Sequence, residues 1–230
     1  MEFLVGTSGY SYKEWREVFY PKELKASEYL SHYARHLPAV EINNTFYRMP
    51  KTSVVAKWRE EVGDSFRFSV KASQRITHHK RLKDATEPLA FLERSLAELD
   101  SRLGVVLFQL PPSFRCDVDR LNAFLADMPA WPVAFEFRHP SWFTDEVFDR
   151  LRECNAACVI NDDGASAPLD PAASFGYLRL RNAEYSDGEL DEWARRIRDT
   201  QWDRAFVFFK HEEAGAGPVL AQRLLDRLQA

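Results

Sequence analysis

Long apolar runs are missing from this chain of 230 residues. None approaches the ~20 residues needed to span a bilayer, so no membrane partner is expected. The opening stretch MEFLVGTSGYSYKEW reaches glycine, serine and charge too early for a secretory signal. Cysteine is scarce: Cys116, Cys154 and Cys158 are odd in number and lack metal-type spacing. That pattern suits reduced thiols in a cytoplasmic protein better than a disulfide framework or structural zinc site. Excess positive charge is also absent. The net charge of −4 argues against nucleic-acid binding driven by overall charge, although it leaves room for a local basic cleft. There is no Walker loop, no G-x-G-x-x-G and no G-x-S-x-G elbow, so nucleotide and acyl-enzyme chemistry find no support. No linker, low-complexity segment or repeat divides the chain, and one domain spanning 1–230 is expected.

What is present is alternation. Eight β-rich runs stand out: Phe3–Gly6, Ala39–Asn43, Phe66–Lys71, Val105–Leu110, Val133–Phe137, Ala157–Asn161, Phe175–Leu180 and Ala205–Lys210. Between several of them lie amphipathic stretches, at Pro88–Leu103, Val118–Asp127, Thr144–Asn155, Asp187–Thr200 and Pro218–Leu228. Crossovers of this length favour parallel neighbours. Eight β/α units predict an α/β fold of the TIM-type (β/α) barrel kind, allowing for irregularity; a doubly wound open sheet would read similarly.

In a barrel wrapped by helices the outer strand face is apolar and the opposite parity points into the lumen. On that rule Glu41 and Asn43 point in, as do Arg67, Ser69 and Lys71, then Glu136 and Arg138, then Tyr177, Arg179 and Arg181. Gln109 shares the parity of Val105 and Leu107, while the last run is apolar on both faces and its parity is left open. A lumen built only for stability is filled with branched aliphatics. Here Arg67, Lys71, Arg138, Arg179 and Arg181 face Glu41 and Glu136, five positive against two negative. Unpaired buried charges cost several kcal/mol each. The charges must therefore pair, stay wet at the mouth or meet a ligand. A lattice in which Arg67 and Arg138 neutralise Glu41 and Glu136 is the structural alternative. The cationic excess predicts a small anionic ligand, a phosphoester or a carboxylate.

Strand ends sharpen the candidates, because barrel enzymes place their chemistry at the C-terminal rim. Lys71, Gln109, Arg138, His139, Asp162, Arg181, Lys210 and His211 lie there. The candidate catalytic set is Glu41, Lys71, Glu136 and His139, with carboxylate and imidazole moving protons and Lys71 stabilising charge. The candidate ligand-binding set is Tyr10, Tyr12, Trp15, Asn43, Asn44, Gln109, Arg138, Asp162, Arg179, Arg181 and Lys210. Tyr10, Tyr12 and Trp15 offer an aromatic wall or ordinary packing over the barrel end. Asn43 and Asn44 suit a hydroxylated or phosphorylated ligand, or a turn. No cofactor is predicted; a divalent metal held by Glu41, Glu136, His139, Asp162 and His211 is open, though no spacing demands it. The run Lys71–Leu82 is basic and reads first as a solvated surface.

The blocks GTSGYSYKEW…FYP, VEINNTFYRMP, RFSVKASQRITH, VVLFQLPPSF and AFEFRHPSW, in this order over nearly the whole chain, closely resemble the YecE-like family, domain of unknown function 72. The resemblance implies a TIM-barrel-like fold and a bacterial or archaeal cytoplasmic protein, and brings no activity with it. The tail FFKHEEAGAG departs from the FNN-type ending of many members, which leaves Lys210 and His211 the least supported candidates. The functions that fit are an enzyme of hydrolase, lyase or isomerase class acting on a small anion, a non-catalytic binder of an anionic metabolite or, less favoured, of nucleic acid at Arg75–Arg81, and a metal-dependent endonuclease-like hydrolase. No oligomeric state is assigned.

Overall fold

The structure, a computed structural model, describes residues 1–162, 172–210 and 215–230. His211 lies outside the described residues. The described strands are β1 (Glu2–Ser8), β2 (Ala39–Ile42), β3 (Arg67–Lys71), β4 (Leu103–Gln109), β5 (Val133–Glu136), β6 (Ala157–Cys158), β7 (Ile160–Asn161), β8 (Phe175–Leu180) and β9 (Arg204–Phe209). They form one sheet in the order β6-β5-β4-β3-β2-β1-β9-β8-β7, and every described ladder is parallel. β6 and β7 are halves of the predicted run Ala157–Asn161, interrupted at Val159. The first half pairs with β5 and the second with β8, so the sheet closes on itself. Eight predicted runs thus become a single-domain TIM-type barrel, and the open doubly wound sheet is set aside.

Helices α1 (Tyr29–Tyr33), α2 (Thr52–Glu60), α3 (Thr86–Leu96), α4 (Val118–Ala126), α5 (Asp145–Glu153), α6 (Asp187–Arg198) and α7 (Ala216–Gln229) fill the crossovers. Their starts follow capping chemistry: Asp117, Thr144 and Ser186 each accept a first-turn N–H through the side chain, and Ser186 with Glu189 completes a capping box. The predicted helix Pro88–Leu103 is shorter than its pattern. The α-helix ends at Leu96, and Asp100, at φ 50 and ψ −131 within the 3-10 segment that follows, breaks the helical path before the chain enters β4.

Two apolar clusters divide the strands by parity. Val40, Phe68, Val106, Phe108, Phe135 and Leu178 belong to the large outer cluster under the helices. Leu4, Val105, Leu107, Ala134, Tyr177 and Phe206 belong to a smaller one of opposite parity, the barrel interior. Phe206 and Phe208 share that interior cluster, while Val207 and Phe209 belong to the outer one, which settles the parity of the last strand. β1 and β2 are stitched by the hydroxyl of Tyr33, which accepts from Thr7 N at 2.8 Å and donates to Ala39 O at 2.9 Å. Gly6 makes room for this approach: a Cβ there would lie 1.9 Å from the Ala39 carbonyl oxygen.

Candidate functional site

At the C-terminal half of the barrel, inward parity brings Glu41, Glu136 and Arg179 together. Their fractional exposures are 0%, 1% and 2%. Arg179 lies between the carboxylates, donating from Nη2 to Glu41 Oε1 at 2.8 Å and from Nη1 to Glu136 Oε2 at 2.5 Å. Glu41 also accepts from Ser8 Oγ at 2.6 Å, Asn43 Nδ2 at 3.0 Å and Tyr177 OH at 2.7 Å. Glu136 accepts from Gln109 Nε2 at 2.7 Å, Arg138 Nε at 3.0 Å and Arg181 Nη2 at 3.2 Å. Four side chains therefore converge on each carboxylate, and buried charge is matched by charge-assisted hydrogen bonds.

This arrangement decides how the groups titrate. Burial pushes the Glu136 carboxyl up, but the guanidiniums of Arg179, Arg181 and Arg138 outweigh it and bring the group down to about 2. Glu41 follows the same logic with Arg179 and the hydroxyl of Ser8, and also titrates below the ordinary range. Both carboxylates are held charged with their lone pairs engaged, poor material for proton abstraction.

Lys71, at the end of β3, is different. Its Nζ donates to Gln109 Oε1 at 2.8 Å and lies 4.1 Å from the centroid of the Phe46 ring. Gln109 gives its amide N–H to Glu136, so its carbonyl oxygen must face the amine. Among the described residues Lys71 forms no ion pair with a carboxylate. Burial, then Arg179, lowers its pKa from 10.5 to about 8 against the pull of Glu41 and Glu136. His78 also packs on Phe46, with ring centroids 4.9 Å apart and the rings nearly perpendicular. Its imidazole is lowered by burial and by Lys71 and Arg138. Nothing in the sequence pattern separated His78 from the basic run around it; the π-helical turn Arg75–His79 aims it toward the mouth.

The remaining candidates divide. Asn43, Gln109, Arg138, Arg179 and Arg181 all join the carboxylate network. Arg138 is the wet member, with its side chain 39% exposed, against 10% for Arg181. The structural lattice expected for Arg67 does not form. It stands at the N-terminal end of β3, where its guanidinium turns to the carbonyls of Asp64 and Phe66; Arg179 takes the bridging position instead. His139 bonds to Ser141, through Nδ1 to Oγ at 2.8 Å, and caps the turn Pro140–Trp142 rather than touching Glu136. Asp162 accepts from Arg181 N at 2.7 Å and from the Tyr185 hydroxyl, fastening the end of β8. Lys210 is exposed. Trp15 is fully buried among Tyr12, Phe19 and Tyr20 and offers no face to a ligand. Tyr10, Tyr12, Asn43 and Asn44, with Trp58, line a niche of about 100 Å³ at the ends of β1 and β2.

The basic run is tied down locally: Arg75 pairs with Glu87 at 3.1 Å, Lys80 donates to Asp84 O at 2.8 Å and Arg81 reaches Ser113 at 3.4 Å. No group of three or more His, Cys, Asp or Glu placed to share a metal occurs among the described residues. A larger cavity of about 680 Å³, lined by Gly104, Trp131, Cys154, Phe175, Arg204 and Phe206, opens at the opposite, N-terminal end of the strands. Its size does not make it the chemical centre: none of the lumen carboxylates, lysine or paired arginines reaches it, and the C-terminal end is where barrels place reactive groups. No described helix is long and apolar enough to cross a membrane.

Fold and network together define a TIM-type barrel whose upper lumen is bridged by a buried glutamate–arginine–glutamate spine beneath further cations. The chain belongs to the family described as "Protein of unknown function DUF72", whose model matches residues 4–230. It is 34% identical to the UPF0759 protein YunF of Bacillus subtilis (strain 168), over 92% of this chain and 90% of that protein. It is 35% identical to the UPF0759 protein YecE of Escherichia coli (strain K12) over 50% of this chain and 43% of that one. A crystal structure of a DUF72 family protein from Thermotoga maritima MSB8 superposes with a TM-score of 0.86 at 27% identity, covering 100% of both chains. One from Enterococcus faecalis V583 gives 0.84 at 21% identity, covering 99% of this chain and 96% of that one, a likeness of fold alone.

Proposed function

We propose that the protein is an enzyme acting on a small anionic substrate, carboxylated or phosphorylated, at the C-terminal mouth of the barrel. The observation that carries the reading is the charge balance around Glu136. Three guanidiniums converge on one carboxylate, with the amine of Lys71 close by. Among the described residues Glu41 and Glu136 face Arg179, Arg138 and the amine of Lys71, two carboxylates to three cations before Arg181 is counted. The surplus favours an anion, and the exposed guanidinium of Arg138 is the group best placed to meet it, in the planar, forked manner that suits carboxylate and phosphate. In this reading Glu41 and Glu136 hold the arginines in place. Lys71, whose pKa is brought to about 8, is the group on which the chemistry turns.

The test is a thermal-shift screen with phosphate, sugar phosphates and small carboxylates. A ligand at about 100 times its Kd stabilises by about 2.7 kcal/mol. For a chain of this size that is a rise of roughly 5–11 °C. The rise is expected to shrink in Arg138→Ala. Turnover of a hit by the wild type, lost in Lys71→Met with the thermal shift retained, separates an enzyme from a binding protein. Failure of every anion to stabilise the fold overturns the reading. Nucleic-acid binding would instead appear as a steeply salt-dependent affinity that is lost on replacing Lys80 and Arg81.

A further inference from the structure

The carboxylate spine leaves one amine aside, and its surroundings fit a more specific chemistry than charge alone. We infer that Lys71 is a nucleophile that forms an imine with a small oxo acid or oxo phosphate ester, an inference that rests on the anion site proposed above. The amine condenses with the carbonyl carbon. A C–N bond forms, the C–O bond breaks, and the carbonyl oxygen leaves as water with the two protons that the ammonium nitrogen loses. The product is a protonated imine, a cation at the position the ammonium held, so the surrounding charges meet the same net charge before and after.

Geometry supports this assignment. The amine is held from one side by a single neutral acceptor, Gln109 Oε1 at 2.8 Å, and covered on another by the Phe46 ring at 4.1 Å. Gln109 is itself fixed by Glu136, so the nitrogen is aimed rather than free to swing. A lysine meant only to neutralise a carboxylate would contact one, and Lys71 contacts none among the described residues. The groups facing it are Glu41 on β2, Gln109 on β4, Glu136 on β5, Arg138 just beyond β5, Arg179 on β8 and His78 on the following turn. Arg138 supplies the contact for the substrate's acid group beside the carbonyl. With a pKa near 8, roughly a tenth of the amine is neutral at pH 7, against well under a hundredth for an ordinary lysine.

The experiment uses the full chain with glyoxylate as probe, sodium cyanoborohydride to trap the imine, and peptide mass mapping. Lys71 is expected to be labelled at least tenfold faster than Lys80, saturably in glyoxylate, with a rate that climbs with pH through about 8. Lys71→Arg should remove that label, Arg138→Ala should raise the half-saturating concentration about tenfold while leaving the amine reactive, and inorganic phosphate should protect. Labelling of Lys71 no faster than Lys80 overturns the inference. If anions still raise the melting temperature in that case, the anion site stands and only the imine falls. If no anion stabilises the fold, both fall together.

Discussion

Replacing Arg179 by Met isolates the physics of the lumen. Among the described residues the guanidinium is the only charged group hydrogen-bonded to Glu41, whose other donors are Ser8, Asn43 and Tyr177. Glu136 keeps Arg138 and Arg181. The variant therefore strands one fully buried carboxylate. Removing one partner of a buried pair costs about 3–5 kcal/mol, which corresponds to a fall of roughly 6–20 °C in melting temperature for this length. The pH dependence should change sign as well. In the wild type both carboxyls titrate below their unfolded values. Their contribution is present in full above the unfolded value of 4.5 and is lost as pH falls through the folded one, about 2 for Glu136; that drop alone is worth about 3 kcal/mol. In the variant, burial without a guanidinium raises Glu41 above its unfolded value, so acidification from pH 7 toward 5 should narrow the deficit. Adding Glu41→Gln to Arg179→Met should restore much of the loss, because the amide oxygen can still accept from Tyr177 and Ser8. Urea and thermal unfolding followed by circular dichroism, at pH 7 and pH 5, read all three. A variant within about 1 kcal/mol of wild type, or one whose deficit grows on acidification, refutes the reasoning.

Other outcomes follow from the same contacts. Tyr33→Phe removes the hydroxyl that joins Thr7 N to Ala39 O and should cost about 1–3 kcal/mol, read from urea midpoints. Gly6→Ala forces a Cβ against the Ala39 carbonyl oxygen and should lower the melting temperature by more than ~10 °C or leave the protein insoluble. Under native conditions a maleimide should label the exposed Cys154 first and spare the buried Cys158, whose thiol is pushed up to about 12 by burial; mass mapping of the tryptic peptides decides. Arg67→Ala, whose guanidinium meets only nearby carbonyls at the strand's lower end, should leave anion-induced stabilisation unchanged in a thermal-shift titration.

Period-two alternation made the strands and their inner faces readable, because an outward charge under a helix is prohibitive and parity follows from that single constraint. Alternation alone places Glu41, Glu136, Arg179 and Arg181 in the lumen. Which cation meets which carboxylate was not readable. Arg179 and Glu41 are 138 residues apart, and their meeting depends on how the ring closes, which no local pattern encodes. Arg67 has the right parity but lies too near the start of its strand, a difference in height that alternation cannot report. Trp15 and Tyr12 showed the same limit from the other side: an aromatic loop reads alike whether it packs on the barrel or waits for a ligand. His78 was hidden in a basic run and emerges only because a turn of π-helix swings it against Phe46.

The interrupted strand at Val159 gives this ring a narrow joint. On either side of it the backbone ladders register only two residue pairs, Ala134↔Ala157 and Phe135↔Cys158 on one flank, Ile160↔Leu178 and Asn161↔Arg179 on the other. Arg179 and Glu136 stand on the two strands that flank the joint, so their ion pair works as a tie-bar across the thinnest part of the wall. Backbone amides there should exchange with solvent ahead of those between β1 and β9, where six pairs are registered. Cutting that tie-bar should therefore quicken amide exchange on both flanks of the joint before it is felt on the far side of the ring.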